Sequence, residues 1–187
     1  MSGLTPLTGE PLALDLVNTQ PADVDLLATP ADLRAWLSLQ ANRFPEAQEF
    51  AAVEFTSADL AAVQQVRSCM ACVIDHVRYG TQPPAGDLAA LNQAQRAAPA
   101  IREVTWNGQA ITTVRSRIGP PGPQLAAWLA EASAELLASS VAKVRQCEAD
   151  DCVMLFLPAH PSRRWCSADR CGNRVRVARY YHRHKPT

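Results

Sequence analysis

No apolar stretch in the 187-residue sequence approaches the ~18 residues that a membrane-spanning helix needs. The opening residues have no basic start and carry Glu10 and Asp15, which is not the pattern of a secretory signal. A glycine-rich phosphate loop, a nucleophile elbow and a His–Glu metal motif are all missing, so the common catalytic signatures are too. Net charge is also missing, since 18 Lys/Arg balance 18 Asp/Glu. These absences lead to the expectation of a cytoplasmic protein that is not an enzyme and whose cysteines stay reduced.

What remains is a chain nearly half apolar, with alanine and leucine prominent, which suits a helical protein. Its length allows one good core plus a small appended module. The neutral total conceals two unlike ends. From Lys143 onward ten Lys/Arg stand against four Asp/Glu, a net +6, while the 142 residues before it hold eight against fourteen, a net −6.

Four of the six cysteines lie in that basic end as two equal pairs, Cys147-x4-Cys152 and Cys166-x4-Cys171, with thirteen residues between the pairs. Zinc takes four soft ligands in a tetrahedron, and each close pair can supply one edge of it. Two disulfides would need an oxidising compartment. The expected cofactor is therefore one structural Zn2+ per chain, although thiolate sites accept other soft ions. Four thiolates leave no open position for water or substrate. Such a site carries a formal charge of about −2. Arg163, Arg164, Arg170 and Arg174 thus have two roles open to them: neutralising the cluster, or facing an external anion.

Residues 163–174, Arg-Arg-Trp-Cys-Ser…Cys-Gly-Asn-Arg, resemble the CGNR zinc finger. The opening Leu12-Ala-Leu-Asp15-Leu-Val-Asn18-Thr19 resembles the start of the ABATE domain that usually accompanies it. The resemblance touches both ends of the chain. It implies a bacterial transcription regulator, some members being described as stress-induced, whose finger binds DNA. One departure is Pro158-Ala-His160-Pro161, where many members carry an aspartate after the Phe-Leu pair; the tip between the cysteine pairs is reshaped here.

Along the chain, Leu12, Leu14, Leu16 and Val17 form a run too short for periodicity to decide between helix and strand. Asp15 and Asn18 within it could hold a ligand or bond nearby backbone. The structural role is favoured, since no His, Ser or Cys lies close enough in sequence to complete a catalytic set. Thr29-Pro30-Ala-Asp32 opens a helix expected to carry Leu33, Trp36, Leu37 and Phe44 and to stop before Pro45. Ser57-Ala-Asp59 opens a longer one that Gly80 closes; Cys69 and Cys72 on it read as core residues. Asp87 is expected to cap a third helix through Arg96. Residues 101–106 and 109–114 flank Asn107-Gly108 as a hairpin. A proline-rich loop then hands over to a helix from about Gln124 to Ser140. Ser167 is the expected N-cap of a final helix, with Cys171, Val175, Ala178 and His182 on its inward face.

The fold class that follows is α+β and mainly α-helical. A helical domain over 1–142 carries a β-hairpin or small antiparallel sheet, and a treble-clef-like four-cysteine zinc finger with a basic helix occupies 143–187. Arg163, Arg164, Arg174, Arg176, Arg179 and Arg183 are the expected nucleic-acid contacts. DNA is the expected partner, with RNA, a small-molecule effector and a homodimer left open and no membrane involved. The alternative is a zinc-stabilised module that docks on an acidic protein and binds no nucleic acid.

Overall fold

A computed structural model describes residues 6–22 and 24–184, with the side chains at 179 and 181–184 outside the described set. The short apolar run is helix α1 (Leu12–Val17), which Pro11 opens and which is buried along nearly its whole length. Helix α2 (Pro30–Gln40) starts where Thr29 and Asp32 exchange the two hydrogen bonds of a capping box. It ends earlier than expected. Pro45 does not merely stop a helix; it sits in the first turn of another, α3 (Pro45–Ala51), where its missing N–H costs nothing. Phe44 is the residue between them rather than part of α2.

Helix α4 (Ser57–Arg78) is also capped by a box, but through Thr56 rather than Ser57, with Asp59 returning the second bond. Each such cap contributes about 1 kcal/mol. Gly80, at φ +69°, ends α4 as expected. Helix α5 (Ala85–Ala97) begins ahead of Asp87, which occupies the first turn without capping it. Helix α6 (Pro121–Ser139) likewise starts earlier than Gln124, because Pro121 tolerates the first position. Gly122 is required there: a Cβ at that point would collide with the Asp59 carboxylate that caps α4.

Helices α4, α5 and α6 pack on one another, and α1 lies across α4 and α6. The main core gathers Leu33, Trp36, Leu37, Val63, Leu125 and Leu129, all buried. Trp128 meets Phe44 edge-on at 5.9 Å and Phe50 at the same centroid distance.

Strands β1 (Ile101–Trp106) and β2 (Ile111–Ser116) form the expected hairpin in a different register. Asn107 opposes Ala110 across the turn, and its side-chain oxygen accepts the N–H groups of Gln109 and Ala110. The turn therefore centres on Gly108–Gln109, with Gly108 at φ +96°, and pairing slips by two residues from the expected one.

After a single 3-10 turn, β3 (Arg145–Gln146) and β4 (Leu155–Phe156) pair antiparallel, and a π-turn at Ala168–Gly172 leads into helix α7 (Asn173–His184). This C-terminal part does not stand apart. Leu14, Met70 and Ile74 share a cluster with Val144 and Leu155, and Leu7 packs among Cys147, Cys166 and Phe156. Among the described residues no helix is long and apolar enough to cross a membrane.

Candidate metal centre

The hairpin β3–β4 holds Cys147 and Cys152 in the turn between its strands. Cys147 N–H bonds Met154 O at 2.9 Å and Cys152 N–H bonds Ala149 O at 3.1 Å, so the turn folds back on itself, with Asp151 at φ +59°. Ser167 builds the other side. Its hydroxyl accepts from Asp169 N–H and Arg170 N–H, and its carbonyl accepts from both Cys171 N–H and Gly172 N–H. The i+5 hydrogen bond from Gly172 N–H widens the first turn into a π-turn, and Cys171 sits beside Cys166.

All four sulfurs lie within 4.8 Å of one another. The Sγ–Sγ separations are 3.6 Å for Cys166–Cys171, 3.7 Å for Cys171–Cys152 and 3.9 Å for Cys152–Cys166. A tetrahedron with zinc–sulfur bonds of ~2.3 Å has edges of ~3.8 Å. The donor set thus fits a zinc ion in chemistry and in size, with no fifth group close by among the described residues. Burial pushes the Cys152 thiol up to about 11 and raises Cys166 as well. At Cys147 burial also acts upward, but the N–H groups of Cys166 and Ala149 and the neighbouring thiols outweigh it and hold this sulfur below the ordinary thiol value. When bound, the metal supplies the charge that lets all four become thiolates. Its chemistry here is structural.

Asn18 meets this part of the chain directly from the other end of the sequence, and Asp15 supports it through the loop at Gly9–Glu10. Asn18 Nδ2 donates to Leu155 O at 2.8 Å and its Oδ1 accepts Leu155 N–H at 2.9 Å. Asp15, fully buried, accepts from Gly9 N–H and Glu10 N–H at 3.1 Å, from Gln40 at 3.0 Å, and from Arg43. Burial raises its carboxyl above the usual range, opposed by the bonds from Gln40, Arg43 and Gly9. The loop thus fixed presents Glu10, whose Oε2 accepts Leu157 N–H at 2.8 Å and whose Oε1 accepts Arg163 at 2.5 Å. Arg163 then donates to the carbonyl of Cys166 at 2.5 Å and lies over the Phe156 ring at 4.5 Å. A continuous polar clasp runs Arg43–Asp15–Glu10–Arg163–Cys166.

The expected nucleic-acid residues separate accordingly. Arg163 points inward, because the buried Glu10 carboxylate and the knuckle carbonyls take its donors. Arg164 is half exposed and pairs with Glu148. Arg174 donates to Asp150 O at 2.8 Å and approaches Cys171 Sγ at 3.8 Å while remaining exposed, so it can offset the cluster's charge and still meet an external anion. Arg176 lies back along its own helix toward Asn173 Oδ1 at 2.7 Å, yet stays exposed. The side chains of Arg179 and Arg183 lie outside the described residues. Ala178, expected to face inward, is exposed, and His182 also falls outside the described side chains; only Val175 of the described side chains on α7 packs on the finger cluster. Sequence reasoning missed Leu7, Glu10, Gln40 and Arg43. A glutamate beside a proline and an arginine in a helix-to-helix link carry no local signal of burial.

Two family models match the chain. Residues 10–140 match ABATE, described as "Putative stress-induced transcription regulator", and residues 143–184 match the CGNR zinc finger. No curated protein matches it. The family match and the four-cysteine cluster together support one structural zinc. With 131 residues inside the first match and the finger following directly, the chain belongs to the ABATE family and carries a CGNR zinc finger.

Proposed function

We propose that this protein is a transcription regulator that binds DNA through its zinc finger and α7. In this reading residues 143–187 form the DNA-binding part, ligated through Cys147, Cys152, Cys166 and Cys171, and residues 1–142 sense an effector or dimerise. The observation that carries the reading is the exposure of α7. Beyond Val175 the helix leaves the finger, and Arg174, Arg176, Val177 and Ala178 are all exposed on it. An exposed helix in the +6 segment of a neutral chain supports a phosphate-binding role. Arg174 and Arg176 lie in its first turn, where guanidinium forks reach phosphate oxygens or guanine edges.

Binding of the zinc-loaded protein to duplex DNA across a salt series tests this. The logarithm of affinity should fall linearly with the logarithm of salt, and each phosphate contact removed should lower that slope by about 0.9. Arg174→Ala and Arg176→Ala should each do so, and Cys166→Ser should abolish binding with the finger. No binding at low salt with zinc in place would overturn the DNA reading and turn attention to docking on an acidic protein.

A further inference from the structure

The β1–β2 hairpin is the one part of the described chain whose composition disagrees with its surroundings. Every large apolar residue from 101 to 118 is exposed, with Val104 at 71%, Trp106 at 66% and Ile111 at 72%. A two-stranded hairpin open on both faces is marginal in water by itself. Contiguous exposed apolar surface marks an interaction site. Among the described residues it is tied at its base, where Arg115 and Arg117 reach Glu131 on α6 and Arg117 donates to Ala98 O.

The pairing shows which edge is open. Asn107 N–H bonds Ala110 O across the turn, and bonded pairs alternate from there along an antiparallel ladder. Thr105–Thr112 and Glu103–Val114 therefore exchange main-chain bonds. The amides and carbonyls of Arg102, Val104 and Trp106 point away from β2. Among the described residues no strand pairs with that edge. The side chains of these three residues share one face with Ile111.

We propose that the protein self-associates along this outer edge of β1, two hairpins joining as a four-stranded antiparallel sheet about a two-fold axis at Val104. The occupant follows from the residues the edge would meet. With Val104 on the axis, Arg102 of each copy lies opposite the second copy's Trp106, and Glu103 opposite its Thr105. Guanidinium on indole is a favourable cross-strand pair. Moving the axis by one residue to Glu103, or by two to Arg102, sets like charges against each other. Of these three registers only the one centred on Val104 sets attractive side chains opposite each other. The interface is isologous and closes, as two-fold dimers do. The inference is independent of the nucleic-acid reading.

Sedimentation velocity of the zinc-loaded full chain, over a concentration series into the high micromolar range, tests it. The expected result is a monomer–dimer equilibrium. Val104→Lys should leave monomer throughout with an unchanged thermal midpoint, since that side chain touches solvent in the single chain. Val114→Lys, on the opposite face and with its main chain turned toward β1, should leave the dimer in place. A monomer at every concentration, or a dimer that survives Val104→Lys, overturns the proposal.

Discussion

Asn18 holds the main chain of Leu155 as a neighbouring strand would, donating to its carbonyl and accepting from its amide across 137 positions of sequence. The carboxamide offers a donor and an acceptor side by side in a single plane, spaced to meet one residue's C=O and N–H. Replacing Asn18 with alanine leaves a buried N–H and a buried C=O at Leu155 without partners, each costing about 1–3 kcal/mol. Urea unfolding of the zinc-loaded protein should show a loss of about 2–6 kcal/mol for Asn18→Ala. A loss below ~0.5 kcal/mol, the range of ordinary surface changes, would show that the contact is not made.

Arg163 and Arg174 stand eleven positions apart and should behave differently. Arg163→Ala removes the partner of the buried Glu10 carboxylate and should lower stability by about 3 kcal/mol. It should leave the salt dependence of DNA binding unchanged wherever the protein remains folded. A variant of full stability with a slope reduced by about one would place Arg163 on the nucleic-acid face after all.

The acid limb of stability should contain a contribution from Asp25. Arg67, almost wholly buried, donates to both carboxylate oxygens at 2.7 and 2.6 Å, and those bonds hold Asp25 below its ordinary value of 3.8 against the opposing effect of burial. A carboxyl depressed in the folded state adds stability that is present above its unfolded pKa and is lost as pH falls through the folded one. Asp25→Asn should therefore lower the thermal midpoint at neutral pH and flatten its decline below about pH 4. Parallel curves for the two proteins would exclude this contribution.

The zinc ligands were legible in the sequence because the information is local: two thiols four residues apart can reach one ion wherever the rest of the chain goes. Helix starts were legible for the same reason, and the misplacements are small. Thr56 rather than Ser57 caps α4, since its hydroxyl reaches Asp59 N–H at 3.2 Å. Pro45 was ambiguous, because a proline that cannot continue one helix is well suited to begin the next. The hairpin register escaped because Asn107 accepts the turn's N–H groups with its side-chain oxygen rather than its main-chain carbonyl. The clasp could be read only in part, as a structural role for Asp15 and Asn18. Asp15 answers to the nearby amides of Gly9 and Glu10, but Asn18 and Glu10 find their partners only once the chain has come back on itself.

That return has a consequence for how the molecule is made. Synthesis delivers residues 6–18 to solvent well before 145–171 leave the ribosome, and domains tend to settle in that order. Here the early segment has no finished place to settle. Until the two cysteine pairs have closed, Asn18 and Glu10 have water in place of Leu155, Leu157 and Arg163, and Leu7 lacks the cluster it belongs to. Metal capture by the last part of the chain thus completes the first. A nascent chain starved of zinc would hold an unfinished N-terminus as well as an unfinished finger, open to proteases at both.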